Sequence, residues 1–213
     1  MKFGHLRTTS ALLILATCLS ACAPMLVASV AGSALVATDR RTSGTQLEDE
    51  TIELRASAKV RDMFGEKVHV NVTSYNRQVL LTGEVPSERE RQAVSAIVEK
   101  VENVKSVMNE LSAMPNASLG SRSNDLVVTG KITATLVDSR DLFANAFKVV
   151  TERNTVYLMG RVTQREADSA TALIRNVSGV NKVVRMFEII SEEELRGLLP
   201  APADKSEANK TKK

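Results

Sequence analysis

Between residues 46 and 192 the apolar positions run through one succession twice. Ile52, Ala56, Val60 and Phe64 recur every four residues and make a single helical stripe. Glu48, Asp49 and Glu50 suit the helix N-terminus through its dipole. Residues 68–73 then alternate apolar and polar, which predicts a strand, and a turn at Tyr75-Asn76 leads into a second strand ending at Gly83. Ser87-x-x-Glu90 is a capping box, and Val94, Ile97, Val98 and Val101 are the core face of the helix it opens. Residues 104–111 close the unit as a strand.

The second pass matches the first. Asp125 is read as an N-cap, with Val128, Ile132 and Leu136 as the stripe. Residues 147–150 form a strand, Arg153-Asn154 a turn, and the next strand ends at Gly160. Thr163-x-x-Glu166 caps a helix with the core face Ala170, Leu173, Ile174 and Val177, and residues 180–189 form the last strand. The segment 79–85 (VLLTGEV) reappears at 156–162 (VYLMGRV), offset by 77, and later blocks repeat with an offset of 76.

The fold class is therefore α+β. Two tandem units, 46–114 and 124–192, are joined by a linker, 115–123. Each has the order α-β-β-α-β, a three-stranded sheet covered by two helices. Gly83 and Gly160 suit positions needing positive φ or close backbone approach. A unit of this size has a marginal core, which docking of the copies would help; the sequence does not show whether they dock.

The N-terminus has a different character. Lys2 and Arg7 precede the apolar run Leu12-Leu13-Ile14-Leu15-Ala16, too short to span a bilayer. Leu19-Ser20-Ala21-Cys22 follows and resembles a bacterial lipobox. That resemblance implies removal of residues 1–21 and acylation of Cys22, with Ala23 directing the chain to the outer membrane, lipid-anchored and periplasm-facing. Three acyl chains, at about 0.8 kcal/mol per buried CH₂, hold firmly. Residues 22–45 are then a lipidated tether. Their small-residue stretch, 25–37, reads equally as a membrane-proximal segment or a plain linker.

The glycine after the second strand, the capped helix and the Val-x-x-Val-x-x-x-Leu ending resemble the BON domain of bacterial envelope proteins. The resemblance implies binding of anionic phospholipid, chiefly phosphatidylglycerol, through the first helix of the second domain. It also implies support of envelope integrity, presence at the division site and a link to the outer-membrane protein assembly machinery.

Charge bears on that expectation. The whole chain has 28 basic and 25 acidic residues. Residues 46–114 hold nine basic and twelve acidic groups, whereas residues 124–192 hold nine and eight. The second unit is the more positive, and each well-placed cation near anionic lipid contributes about 1 kcal/mol. In its first helix Leu126, Val127, Ala134 and Val137 cannot all face inward with the core stripe, and Lys131 lies four residues after Val127. With Arg140 these form the candidate lipid contact. The same edge could instead join the two domains or extend the core. A family member carries Trp at the position of Val127, and Phe143 offers a substitute. The tail from residue 193 reads as disordered, with Lys205, Lys210, Lys212 and Lys213 solvated or near lipid.

Other chemistries find little support. His69 is the one imidazole left after residue 21, and its strand alternation places it on the solvated face. Neither a nucleophile–base set nor a metal-spaced motif stands out, so no catalytic residue, metal or cofactor is assigned. Aromatic content of 3% and a net charge of +3 disfavour nucleic acid. The rival to lipid recognition is a lipid-anchored scaffold that binds an envelope protein.

Overall fold

The computed structural model describes residues 39–115 and 117–198. The signal segment, Cys22 and the expected tether up to residue 38 lie outside the described residues, as do residues 199–213.

The first domain runs α1 (Ser43–Phe64), β1 (His69–Tyr75), β2 (Gln78–Val85), α2 (Glu88–Val98), β3 (Ser106–Asn109) and β4 (Ser112–Ala113). The second runs α3 (Leu119–Asp138), β5 (Phe147–Glu152), β6 (Thr155–Val162), α4 (Gln164–Arg175) and β7 (Lys182–Ile189), followed by a short helix α5 (Glu192–Leu198). In each sheet the middle strand pairs antiparallel with the strand before it and parallel with the one after the helix. β4 extends the line of β3 along β2. The parallel pairing needs a crossover, and α2 and α4 supply it.

One face of each sheet is covered by its helices. Val79, Leu81 and Val85 meet Ile52, Ala56, Val60, Val94 and Val98 in the first core. Val156, Leu158 and Val162 meet Val128, Ile132, Leu136, Ala170 and Ile174 in the second. The opposite faces form a third core, in which Tyr75 and Leu80 pack with Tyr157, Met159 and Met186. The two domains therefore dock sheet to sheet, with helices outermost. Both middle strands are consequently buried on both sides: every residue from Val79 to Val85 is buried. This answers the marginal core of a single unit, because the second sheet face is also withdrawn from water.

The docking corrects the placement of His69. It is half-buried, and its Nδ1 lies 3.0 Å from Oε2 of the fully buried Glu84, at the joint between domains. The alternation that suggested a solvated face marks a polar interdomain face instead. The alternative in which the domains join through the first helix of the second unit also falls, since the contact runs through the sheets.

Other expectations shift at the element ends. α3 begins at Leu119, inside the expected linker, and its N-cap is Ser118 rather than Asp125. α1 begins at Ser43 behind the N-cap Thr42, which puts Asp49 in the second turn, buried. The middle strands run two residues past Gly83 and Gly160. The first hairpin turn is Asn76-Arg77. Thr163 and Glu166 form a full capping box, whereas Ser87 caps through the N–H of Arg89 and bonds Glu90 only through its side chain. α5 occupies the start of the expected tail, and Leu195 buries there.

Candidate lipid-facing helix and interdomain cleft

The first helix of each domain is fastened by a carboxylate. Asp49 accepts from the backbone N–H groups of Asn76 and Arg77, at 2.8 and 2.7 Å. Asp125 accepts from those of Arg153 and Asn154, at 2.8 and 2.9 Å. All four turn residues have positive φ, the geometry of a two-residue hairpin turn that ordinarily calls for Asn or Gly. The carboxylate offsets that cost by taking both N–H groups, and it pins the helix to the hairpin.

With Asp125 fixed and Val128, Ile132 and Leu136 turned to the core, the outward face of α3 is decided by helical period. Leu126, Val127, Gly130, Ala134 and Val137 fall within an arc of about 100°, opposite the core stripe. Leu126 is 75% exposed, Val127 56% and Val137 65%. Lys131 and Ala134 are exposed on the same side, and Arg140 is exposed just beyond the helix end. Phe143 follows, 52% exposed. All six residues expected on this edge are thus at the surface. Among the described residues neither Lys131 nor Arg140 has a carboxylate partner, while Asp138 and Asp141 flank Arg140.

The equivalent helix is built otherwise. α1 shows Glu50, Leu54, Ala58 and Arg61 at the positions of Leu126, Gly130, Ala134 and Val137. α3 has four charged side chains in 20 residues, against eight in 22 for α1. α1 also exposes Leu47, Leu54 and Met63, but Glu50 and Arg61 interrupt its outer side, so the uninterrupted apolar face belongs to the second copy.

Gly83 and Gly160 are held by crowding. A Cβ on Gly83, at φ 114°, would lie 2.1 Å from the carbonyl oxygen of His69. One on Gly160 would lie 2.4 Å from that of Ala146, without positive φ.

Beside α3, where the domains meet, lies a cleft of about 230 Å³ lined by His69, Asn71, Arg122, Asp125, Leu126, Thr129, Thr151 and Glu152. Asn71 donates to Glu152 at 3.2 Å, and Thr129 to Thr151 at 2.8 Å. Burial pushes the Glu152 carboxyl up, and the charges of Glu84 and Asp125 add to this against the Asn71 bond. Arg122 keeps a buried Nε with no hydrogen-bond partner. Leu126 belongs to both the cleft and the apolar face.

A second joint lies where the chain enters α1. Arg40 makes a bidentate ion pair with Glu166, both bonds 2.7 Å, with side chains 4% and 1% exposed. Its guanidinium also donates to the carbonyl of Arg161. Arg41 bonds Asp39 and Asp49 and stacks over the Tyr75 ring, 4.2 Å from its centre. No pattern in the sequence gave Arg122 or Glu152 a role: Glu152 takes its bond from Asn71 across the domain boundary, and Arg122 lines the cleft that the boundary creates. Among the described residues no helix is long and apolar enough to cross a membrane, and no cluster suits a metal ion.

The BON domain model matches residues 49–115 and 124–191. The chain belongs to the BON-domain family, among its dual-domain, DolP-like lipoproteins. It is 34% identical over 192 residues to the outer membrane lipoprotein DolP of Haemophilus influenzae, covering 89% of this chain and 100% of that one. It is 31% identical over 154 residues to a 21 kDa hemolysin of Actinobacillus pleuropneumoniae, covering 71% and 79%. A solved structure of CdsD, a structural protein of the type III secretion system of Chlamydia trachomatis, matches 70% of this chain and 99% of its own. Its identity is 17% and its TM-score 0.29, too loose to bear on how the BON domains are arranged. In BON terms, the apolar outer helix belongs to the second domain and the cleft to the joint between the two.

Proposed function

We propose that this protein is a non-catalytic, lipid-anchored protein of the outer membrane that recognises anionic phospholipid with the outer face of α3. The observation that carries the reading is the helix itself: apolar on two opposite faces, with only one buried. An exposed apolar stripe edged by a cation is the pattern of a helix lying in a membrane interface. Among the described residues Lys131, at its edge, has no acidic partner, which leaves its charge open to a phosphate. Likeness along the full length of an outer membrane lipoprotein supports an acyl anchor at Cys22 and a periplasm-facing body. Such an anchor would hold α3 near the lipid surface, so a weak contact suffices. Envelope integrity and a role at the division site would follow from where that contact gathers the protein.

The test is a titration of residues 22–213 carrying Cys22→Ser with phosphatidylglycerol micelles and with zwitterionic micelles, followed by amide shifts. Shifts along residues 126–140 with the anionic micelles, lost in Val127→Glu and Lys131→Glu, are expected. Absence of any lipid response, with retention of an envelope protein on the same fragment, would favour the scaffold reading.

A further inference from the structure

The docked domains exchange contacts as a pseudo-twofold pair would. Asn71 reaches Glu152, and its counterpart Lys148 reaches back to the segment around Tyr75. Asn76 bonds Glu188, and its counterpart Arg153 touches Met114. The interdomain cleft beside α3 therefore has a twin beside α1. The twin is plugged. The Lys148 ammonium donates to Glu53 at 2.8 Å and to the carbonyl of Ser74 at 3.2 Å. In the open cleft the position of Lys148 is taken by Asn71, two heavy atoms shorter from Cα to its terminal nitrogen, and the position of Glu53 by Thr129. The difference leaves space where the twin holds a hydrogen-bond donor.

The groups around that space are unequal in a useful way. Glu152 uses one oxygen for Asn71, and its other has no protein partner among the described residues. Arg122 offers a cation with an unpartnered Nε. Leu126 carries the cleft onto the apolar face of α3. Resting on the lipid reading above, we infer that this cleft is a headgroup subsite. It takes a phosphodiester against Arg122, with acyl chains over Leu126 and the outer face of α3. The distal end of the headgroup is a hydrogen-bond donor, hydroxyl or ammonium, standing where the Lys148 ammonium stands in the twin. Glu152 and the carbonyl side of β5 receive it. A phosphodiester capped by a methyl group, or by a quaternary ammonium without N–H, leaves the second Glu152 oxygen unpaired and desolvated.

The experiment compares vesicles of phosphatidylglycerol, phosphatidylethanolamine, phosphatidylcholine and phosphatidylmethanol, using residues 22–213 with Cys22→Ser. Phosphatidylmethanol has the charge of phosphatidylglycerol and no hydroxyl, so the pair isolates the donor from the charge. Phosphatidylglycerol is expected to bind about tenfold tighter than phosphatidylmethanol. Phosphatidylethanolamine against phosphatidylcholine isolates an ammonium donor at constant net charge in the same way. Asn71→Lys, which plugs the cleft as Lys148 plugs its twin, should erase the preference and leave residual binding through α3. Equal binding of phosphatidylglycerol and phosphatidylmethanol by the unsubstituted chain overturns the headgroup subsite without touching the helix reading. Binding of no vesicle at all, or full binding by Val127→Glu, overturns the helix reading itself. The lipid comparison needs no substitution near the cleft, so it stands even if Asn71→Lys fails to fold.

Discussion

At the residue scale, the most consequential side chains are those that let the backbone adopt costly shapes. Asp125 holds two N–H groups of a turn in which Arg153 and Asn154 both have positive φ. Asp125→Ala leaves both donors unmet and the turn unsupported. It should cost about 2–4 kcal/mol, read as a lower urea midpoint. Asp49→Ala should cost more, because Asp49 also takes the Ser74 hydroxyl at 2.6 Å and pairs with Arg41. Gly83→Ala is the sharper backbone test. The new Cβ would meet a carbonyl oxygen at 2.1 Å and sit at φ 114°, whereas Gly160→Ala meets only the crowding. Both should destabilise, Gly83→Ala by the larger amount and at least about 2 kcal/mol.

At the element scale, α3 has to serve two environments. Its inner stripe is legible from sequence because Val128, Ile132 and Leu136 repeat at helical spacing. The surplus apolar residues beside them were legible too, but only as a conflict: one helix cannot bury Leu126, Val127 and Val137 with that stripe. The structure resolves the conflict by leaving them outside. The start of the helix was not legible, because Ser118 and Asp125 are both acceptable N-caps and only the hairpin decides which job Asp125 performs. The cleft was illegible for a related reason. His69 and Asn71 alternate like a solvated strand edge, and nothing local reports that another sheet lies against them. One substitution makes α3 report on itself. The chain has no Trp, so Val127→Trp adds a single fluorophore to the outer face. Its emission should shift to the blue on anionic vesicles, and its affinity should exceed that of Val127, since an indole suits the headgroup boundary. Unshifted emission at saturating lipid would place that face away from the bilayer.

At the scale of the whole molecule, the tether side of the chain enters the fold at the joint between domains, and Arg40 is the residue that closes it. A buried bidentate pair is weak evidence of net stability, but removing one partner leaves a charge without compensation. Arg40→Ala should therefore cost about 3–5 kcal/mol. It should also loosen the sheet-to-sheet contact, seen as a larger radius in solution scattering and faster amide exchange at Leu80 and Met159. The reversed pair, Arg40→Glu with Glu166→Arg, should recover less than half of the loss, because Glu166 also accepts from the Thr163 N–H of its capping box and Arg does not.

The pH dependence follows from the same two joints and has opposite signs at each. Burial raises the Glu166 carboxyl, but the Arg40 bonds and the Thr163 N–H outweigh it and hold the group below its ordinary value of 4.5. Its contribution is complete above that value and is lost as pH falls through the lower, folded one. Glu152 is displaced upward, so its ionised form costs stability at neutral pH. That cost is relieved as pH falls through its raised folded value toward 4.5. Glu152→Gln should remove the gain between neutral and mildly acid pH and leave the acid limb in place. Glu166→Gln should flatten the acid limb and leave the gain. Urea midpoints of the two variants across that range separate the cleft from the clasp, because a chain whose domains were merely strung together would couple neither carboxylate to the unfolding of the other domain.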